Sequence, residues 1–347
     1  MRVPDGIEAA ARAMAIATAA GDEVLWAGAA EAYAWHAIVG GRLGDGFATL
    51  EHAFAAADRH RRPFLAFMAT QMHGQMLWGI GAPDAAQPHF ERLAGLPYVG
   101  DVAYRGEIAD GVGRCHLSRG EMADARRLAP DAKPTWITHA LHPLLDLWAG
   151  EWAAVEALAA RVLATSRRTG NRWDEWAALH LAARDAGRRG DHVRGSALME
   201  EALAILVEGG ATYFELWLRP DLARVRAYGG ALGAAREHVE RCRAVMGTED
   251  WRGRAGSVAL AEAVVLAVED RMDEAEPRFR QAQAAFAAHR LAFDEADALH
   301  MWGRGLLEAG EAGAARTRLE QALALFERHH AGPVWRERVQ GDLRRLA

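Results

Sequence analysis

Residues 174–180 read Asp-Glu-Trp-Ala-Ala-Leu-His, and residues 294–300 read Asp-Glu-Ala-Asp-Ala-Leu-His. The second segment follows the first after three periods of 40 residues, and the same spacing separates a series of predicted turns. Each turn lies between two segments with helical apolar periodicity, and the turns begin at Gly150, Gly190, Gly230, Asp270 and Gly310. A repeat of this length predicts stacked helical hairpins, because each unit buries its apolar face against its neighbours.

Small side chains recur at fixed distances from these turns. Seven residues before them stand Pro143, Ala183, Ala223, Ala263 and Gly303, and five residues after them stand Val155, Gly195, Ala235, Ala275 and Ala315. Two packed helices approach closely only where their side chains are small. The register therefore predicts where the two helices of each pair touch. It extends towards the N-terminus with turns at Gly44, Gly81 and Gly120.

These observations predict an all-α fold, a right-handed α-solenoid of about eight helix pairs with capping end helices. We expect residues 1–130 to form an N-terminal half with one single helix and three pairs. Residues 131–332 are expected to form a C-terminal half of five pairs, and residues 333–347 a capping helix. Between Gly120 and Gly150 the spacing shrinks to 30 residues, and Pro130 and Pro134 interrupt the helix there. We therefore predict an irregular joint at 129–135.

Composition narrows the classes of function. A formal net charge of −6 is typical neither of a nucleic-acid-binding protein nor of one that binds anionic membranes. The two cysteines, Cys115 and Cys242, are far apart and predict neither a disulfide framework nor a zinc site. Glu8 and Arg12 interrupt the apolar N-terminal stretch, which argues against a signal peptide. We expect a cytoplasmic protein without metal or cofactor.

A small residue seven before a Gly-Asp/Glu turn, another five after it and an Ala twelve after it make these units resemble tetratricopeptide repeats (TPR). Their period is nearer 40 residues than the usual 34 or so. The segment from Asp294 to the helix around Trp335 looks like the terminal repeats of large bacterial LuxR-type ATPase regulators and of some cyclase-linked proteins. The resemblance implies a sensor or scaffold in bacterial regulation that binds a protein or peptide segment in a concave groove. The sequence contains no G-x-x-x-x-G-K-[ST] loop, so an ATPase is not implied.

In TPR arrays the first helix of each pair lines the groove, which implies the offsets that face a ligand here. The side chains at ten, six and thirteen residues before the turns include the predicted binding residues Arg114, His180, Arg184, Trp217, Arg224, Asp297, His300 and Arg304. Guanidinium groups pair with carboxylates and phosphates through two parallel hydrogen bonds. We therefore predict a protein or peptide partner with acidic groups, or a small anionic ligand.

Three alternatives remain open. Three of the predicted binding residues, Arg184, Arg224 and Arg304, form an arginine row, and this row can be structural. Its members would then pair with neighbouring carboxylates such as Asp185, Asp221 and Glu308. The chain can be a small-molecule receptor or an enzyme of specialised metabolism that uses His180 with Arg184, or Glu107 with Asp110. A closed, water-excluding cavity with perturbed titratable groups would favour this second class, whereas an open groove would favour a peptide. Lastly, the thin N-terminal face can pair two copies of the chain.

Overall fold

The computed structural model of the chain describes residues 2–96, 102–133 and 137–346. Within these residues, eighteen α-helices follow one another. The first nine are α1 Val3–Ala20, α2 Glu23–Val39, α3 Leu43–Arg59, α4 Pro63–Gly79, α5 Pro83–Leu93, α6 Val102–Ser118, α7 Met122–Leu128, α8 Leu141–Ala149 and α9 Trp152–Thr169. The others are α10 Arg172–Arg188, α11 His192–Gly209, α12 Thr212–Tyr228, α13 Leu232–Met246, α14 Arg252–Val268, α15 Met272–Ala288, α16 Ala292–Glu308, α17 Ala312–Arg328 and α18 Pro333–Arg344.

The helices from α2 to α17 form eight successive pairs, with α1 packed on α2 and α18 packed on α17. The prediction of an all-α solenoid of about eight pairs with end helices is therefore confirmed. The first turn was wrongly placed, since the chain turns at Gly41 with φ +91° rather than at Gly44. A short 3₁₀ turn at Ala129–Asp131 lies inside the predicted joint and another at Ile137–His139 follows it, and residues 134–136 lie outside the described residues.

Small residues occupy the predicted points of close helix contact. Ala183, Ala223 and Ala263 are completely buried. A Cβ atom at Gly195 would lie only 3.4 Å from the carbonyl oxygen of Ala183. A Cβ atom at Gly303 would lie 2.7 Å from Leu319 Cγ, closer than packed carbon atoms approach. The register in the sequence thus reflects steric limits between the helices of each pair.

The array coils so that its later helices dock on its earlier ones. Tyr213 in α12 donates a hydrogen bond of 2.9 Å to the carbonyl oxygen of Met76 in α4. In α14, the side chain of Arg254 donates to the Gly79 carbonyl at 2.9 Å, and its backbone N–H donates to the Ile80 carbonyl at 3.0 Å. The Met76 carbonyl also accepts from the backbone N–H of Ile80 at 3.1 Å, whereas the Gly79 and Ile80 carbonyls belong to the end of α4, where backbone acceptors lack partners within the helix.

The docking of the later helices shapes the hydrophobic core. Both large clusters of buried apolar residues contain members from either side of residue 130. The grouping into halves at residue 130 stays a prediction about the repeats. A Cβ atom at the turn residue Gly81, whose φ is +79°, would lie 3.0 Å from Gly253 Cα, whereas one at Gly230 would meet nothing within 4 Å. The turn at Gly81 is therefore packed inside the molecule, and the turn at Gly230 lies on the surface.

No helix among the described residues combines the length and apolar character that a membrane span requires. Cys115 and Cys242 are both free and buried. Burial raises the pKa of each thiol to about 12.

Candidate functional site

A cavity of about 130 Å³ lies inside the coil, and every first helix from α4 to α16 contributes side chains to its lining. Six of the eight predicted binding residues line it, namely Arg114, His180, Arg184, Trp217, Arg224 and Asp297. A cavity of this size holds on the order of four water molecules. We call it the central cavity.

The structure places the other two predicted residues elsewhere. His300 Nε2 lies 2.8 Å from Asp342 Oδ2, and Arg304 Nε lies 3.7 Å from the same oxygen. The Arg304 guanidinium also covers the ring of Tyr228, with 5.0 Å to the ring centroid. Both residues thus contact the final helix α18 or the end of α12. Equivalent offsets do not lead to one site, because the direction of each first helix changes along the coil.

Asp221 is the charged centre of the cavity. Its carboxylate accepts a hydrogen bond from Arg224 and lies 3.7 Å from Arg184 Nε and 3.7 Å from His180 Nε2. Burial acts to raise the pKa of Asp221, but the charges of Arg224 and Arg184 and the contact with His180 hold it well below its usual range. Arg224 also lies 3.6 Å from Asp297. These ion pairs connect α10, α12 and α16.

The structural interpretation of the arginine row thus applies in part: one of the three expected carboxylates, Asp221, pairs with Arg224 and Arg184, and the other two do not pair with the row. Asp185 pairs with Arg189 at 3.1 Å, and Glu308 pairs with Arg345 at 2.7 Å. Neither carboxylate forms an ion pair with Arg184, Arg224 or Arg304.

Arg114 and Asp110 form a buried ion pair with a distance of 2.7 Å. The guanidinium of Arg114 lies 4.4 Å from the ring centroid of Trp78, and Asp110 accepts a hydrogen bond of 2.8 Å from the backbone of Leu141. Glu107 accepts a hydrogen bond of 2.9 Å from Gln71. Both carboxylates that were considered for acid–base chemistry are therefore engaged in contacts that hold α6 to its neighbours.

His139 and His180 contact each other at the cavity wall, and their ring centroids are 5.7 Å apart. His180 is only 3% exposed, and within the described parts of the chain neither ring nitrogen has a hydrogen-bond partner. Its distance of 3.7 Å to Asp221 is too long for a hydrogen bond. Burial lowers the pKa of both His139 and His180, so both rings are neutral near pH 7. A neutral imidazole offers one N–H donor and one acceptor.

Arg254 is a cavity residue that sequence reasoning missed. Its guanidinium covers the ring of Trp217 at 4.9 Å to the centroid, and burial lowers its pKa. The Nε atoms of Arg254 and Arg184 are buried and have no hydrogen-bond partner in the described chain. Arg254 stands sixteen residues before the turn at Asp270, and the cavity residue Asp294 stands sixteen before Gly310. Extending the groove-facing row by one helical turn would have identified both residues.

Aromatic rings form much of the remaining wall. Trp217 lies edge-on to Trp78, with 5.7 Å between the ring centroids. Trp148 stacks on Phe293 with 4.5 Å between the centroids. The His139 ring lies 5.1 Å from Trp217. The cavity therefore combines an aromatic wall with a polar one.

A second and more open recess of about 330 Å³ lies where α2 and α4 face α10. Its lining includes Trp35, Met68, Met72 and Trp173, and the rings of Trp35 and Trp173 touch edge-on across it at 5.6 Å. We call it the aromatic recess. Its side chains are also contributed by first helices, so it belongs to the same inner face of the coil as the central cavity.

One group of potential metal ligands lies outside the cavity. His116, Glu121 and Asp124 place one ligand atom each within 4.8 Å of one another. Glu121 already accepts from His116 at 2.6 Å and from Arg119 at 2.9 Å. The group is therefore explained as a cluster of hydrogen bonds and ion pairs rather than as a metal site.

No protein-family model matches the chain, and no curated protein matches it. Among solved structures, the chain is similar to the crystal structure of a Rap protein complexed with competence and sporulation factor, with a TM-score of 0.41, 10% identity and coverage of 99% of this chain and 98% of that one. It is also similar to the TPR domain of P58(IPK), with a TM-score of 0.30, 14% identity and coverage of 98% of each chain. At these values the likeness concerns the helical-repeat fold alone.

The fold and the site define a helical-repeat protein with a mostly enclosed polar and aromatic cavity. The resemblance to LuxR-type regulators stays a prediction.

Proposed function

We propose that this protein is a receptor that binds an anionic group of its ligand in the central cavity. The observation that carries the proposal is a set of side-chain nitrogens that have no hydrogen-bond partner in the described chain and belong to residues that line this cavity. They belong to His180, Arg184 and Arg254, and they are buried. A buried polar atom without a partner costs about 1–3 kcal/mol, so a ligand that supplies acceptors at this place is strongly favoured.

An anion suits these atoms better than a neutral acceptor. Guanidinium groups bind carboxylates and phosphates through charge-assisted hydrogen bonds, which contribute about 1.5–3 kcal/mol each. The neutral imidazole of His180 adds one further N–H donor. Burial strengthens each of these interactions because little water competes for the donors.

One source of the anion is a protein or peptide segment with an acidic side chain or a free C-terminus. In that case the acidic group enters the central cavity, and the flanking apolar residues bind in the aromatic recess at Trp35, Met68 and Met72. This arrangement is the sensor or scaffold that the TPR resemblance implies, and a role in bacterial regulation belongs to the same proposal.

The other source is a free small molecule, and two observations favour it. The central cavity measures about 130 Å³, which is little space for a stretch of polypeptide. The contacts of Tyr213 and Arg254 with the end of α4 close the side of the coil next to it. Titratable groups with shifted pKa values in an enclosed cavity are typical of small-molecule sites.

A thermal-shift experiment tests the proposal with two groups of probes, small monocarboxylates with inorganic phosphate and peptides with acidic C-termini. At 100 times its Kd, a ligand adds about 2.7 kcal/mol of stability and raises the melting temperature by several degrees. We expect this shift in the unmodified protein, a much smaller one in Arg184→Gln, and an unchanged one in Arg304→Gln.

Arg304→Gln is the matched control, because it alters the same residue type at the same offset outside the central cavity. Stabilisation by small anions alone identifies a small-molecule receptor, and stabilisation by peptides alone identifies a peptide receptor. A failure of both groups, or an equal loss in the two variants, refutes the proposal.

A further inference from the structure

We infer that the ligand of the central cavity is a small aromatic monocarboxylic acid, a single ring that carries one carboxylate. The inference rests on the proposed function and specifies the class of its ligand. Three features of the cavity support it, namely its volume, its aromatic wall and its formal charge.

The volume fits one ring. A cavity of roughly 150 Å³ inside a protein binds benzene. The central cavity, with about 130 Å³, lies in the same range. A benzoate-sized ligand therefore matches this volume more closely than a fused ring system or a nucleotide does.

The wall that faces the polar groups favours a planar π-system. Trp78, Trp148, Trp217 and Phe293 all line the cavity. Aromatic pairs in offset or edge-to-face geometry gain about 0.5–1.5 kcal/mol beyond the burial of their apolar area. Arg254 connects the two walls, because its guanidinium covers Trp217 while its Nε atom has no partner. The tryptophans line the same cavity as Arg254, Arg184 and His180, so one ligand can place its ring against the first group and its carboxylate against the second.

The formal charge of the lining argues against an anion with more than one negative charge. Four arginines line the cavity, Arg114, Arg184, Arg224 and Arg254, together with three aspartates, Asp221, Asp294 and Asp297. Arg114 also pairs with Asp110, so the formal charges of these four arginines and four aspartates sum to zero. A carboxylate adds one negative charge among well-placed donors. A phosphate dianion would bring a second negative charge close to Asp221 in a buried site, at a much larger cost.

Isothermal titration of the unmodified protein tests the inference with four probes. Benzoate is the expected ligand, cyclohexanecarboxylate keeps the charge without the π-system, benzamide keeps the ring without the charge, and inorganic phosphate represents the dianion. We expect benzoate to bind about 3- to 10-fold more tightly than cyclohexanecarboxylate, from the energy of aromatic pairs. Benzamide should bind at least about 10-fold more weakly than benzoate, because it accepts from the guanidinium groups through one neutral oxygen and forms no ion pair with them.

Variants then locate the ligand. Trp217→Leu should reduce the preference for benzoate over cyclohexanecarboxylate to less than about 2-fold, because it removes the principal ring partner. Arg184→Gln should weaken benzoate binding by about 10-fold or more, and the control Arg304→Gln should leave it unchanged. If a variant loses its fold, ¹⁹F NMR of 4-fluorobenzoate with the unmodified protein, in competition with the other three probes, gives the same ranking.

The outcomes separate the inference from the proposed function. Equal affinity for benzoate and cyclohexanecarboxylate, or tighter binding of phosphate, overturns the aromatic monocarboxylate and leaves the anion receptor in place. Binding of acidic peptides without any binding of benzoate also overturns the aromatic monocarboxylate and leaves the anion receptor in place. If no anion binds, or if Arg184→Gln has no effect on an anion that does, both ideas fail.

Discussion

The docking of α12 on α4 makes a sharp prediction for Gly79, the last residue of α4. An exposed Gly to Ala change inside a helix usually stabilises it by about 0.5–1 kcal/mol. A Cβ atom at Gly79 would lie 1.9 Å from the Tyr213 hydroxyl oxygen and 2.8 Å from Trp217 Cζ2. The substitution therefore forces α12 away from α4, and the sign of its effect on stability reverses.

The magnitude follows from three contributions. Forcing a methyl group into a packed core costs about 1–3 kcal/mol. Loss of the hydrogen bond from Tyr213 to Met76 costs about 0.5–1.5 kcal/mol. The helix propensity of alanine returns up to about 1 kcal/mol. We expect Gly79→Ala to lower the free energy of unfolding by about 2 kcal/mol.

Gly209→Ala is the matched control, because Gly209 is also the last residue of its helix and a Cβ atom there would meet nothing within 4 Å. Urea unfolding followed by far-UV circular dichroism measures both variants. In the Tyr213→Phe background the clashing oxygen is absent, so Gly79→Ala should cost about 1 kcal/mol less. If Gly79→Ala stabilises the protein as much as Gly209→Ala does, α12 is not packed on α4 as described.

Three further predictions concern buried titratable groups. Burial lowers the pKa of His73 from 6.5 to about 3, so the unfolded chain binds more protons below pH 6.5 and stability falls on acidification. At pH 5 this effect amounts to about 2 kcal/mol, and the drop in stability between pH 7 and pH 5 should shrink by that amount in His73→Phe, as urea titrations will measure. Asp110→Asn leaves the Arg114 guanidinium buried without its charge partner and should cost about 3–5 kcal/mol in the same assay, and a cost below about 1 kcal/mol would contradict the buried ion pair. Cys115 and Cys242 should resist a thiol reagent until urea unfolds the protein, because burial raises the pKa of both thiols, and rapid labelling of the native protein would contradict this burial.

The sequence predicted the repeating unit because its determinants are local. Helix ends depend on nearby turn residues, and Ala183 or Gly195 must be small because of a neighbour within the same pair. The resemblance to TPR arrays indicated which face of each first helix points inward. It therefore identified six residues that line the central cavity, and their role in binding stays a prediction.

Sequence reasoning failed where the position of a residue depends on the path of the whole coil. The offsets of Arg184 and Arg304 are the same, yet one lies at the cavity beside Asp221 and the other lies beside Asp342. The groove-facing row, extended by one helical turn, includes Arg254, but the partner of Arg254, the carbonyl oxygen of Gly79, is supplied by a helix far away in the chain. No local pattern carries this information.

The sequence by itself determined a stack of helix pairs with small residues at the contacts and polar side chains on one inner face. Only the tertiary structure decided that the stack coils back on itself, that Tyr213 and Arg254 dock on α4, and that a mostly enclosed cavity forms. The physical reason is that the hairpin follows from steric contacts within one repeat. The closure instead depends on the small rotation at every interface between repeats, which accumulates over the length of the chain.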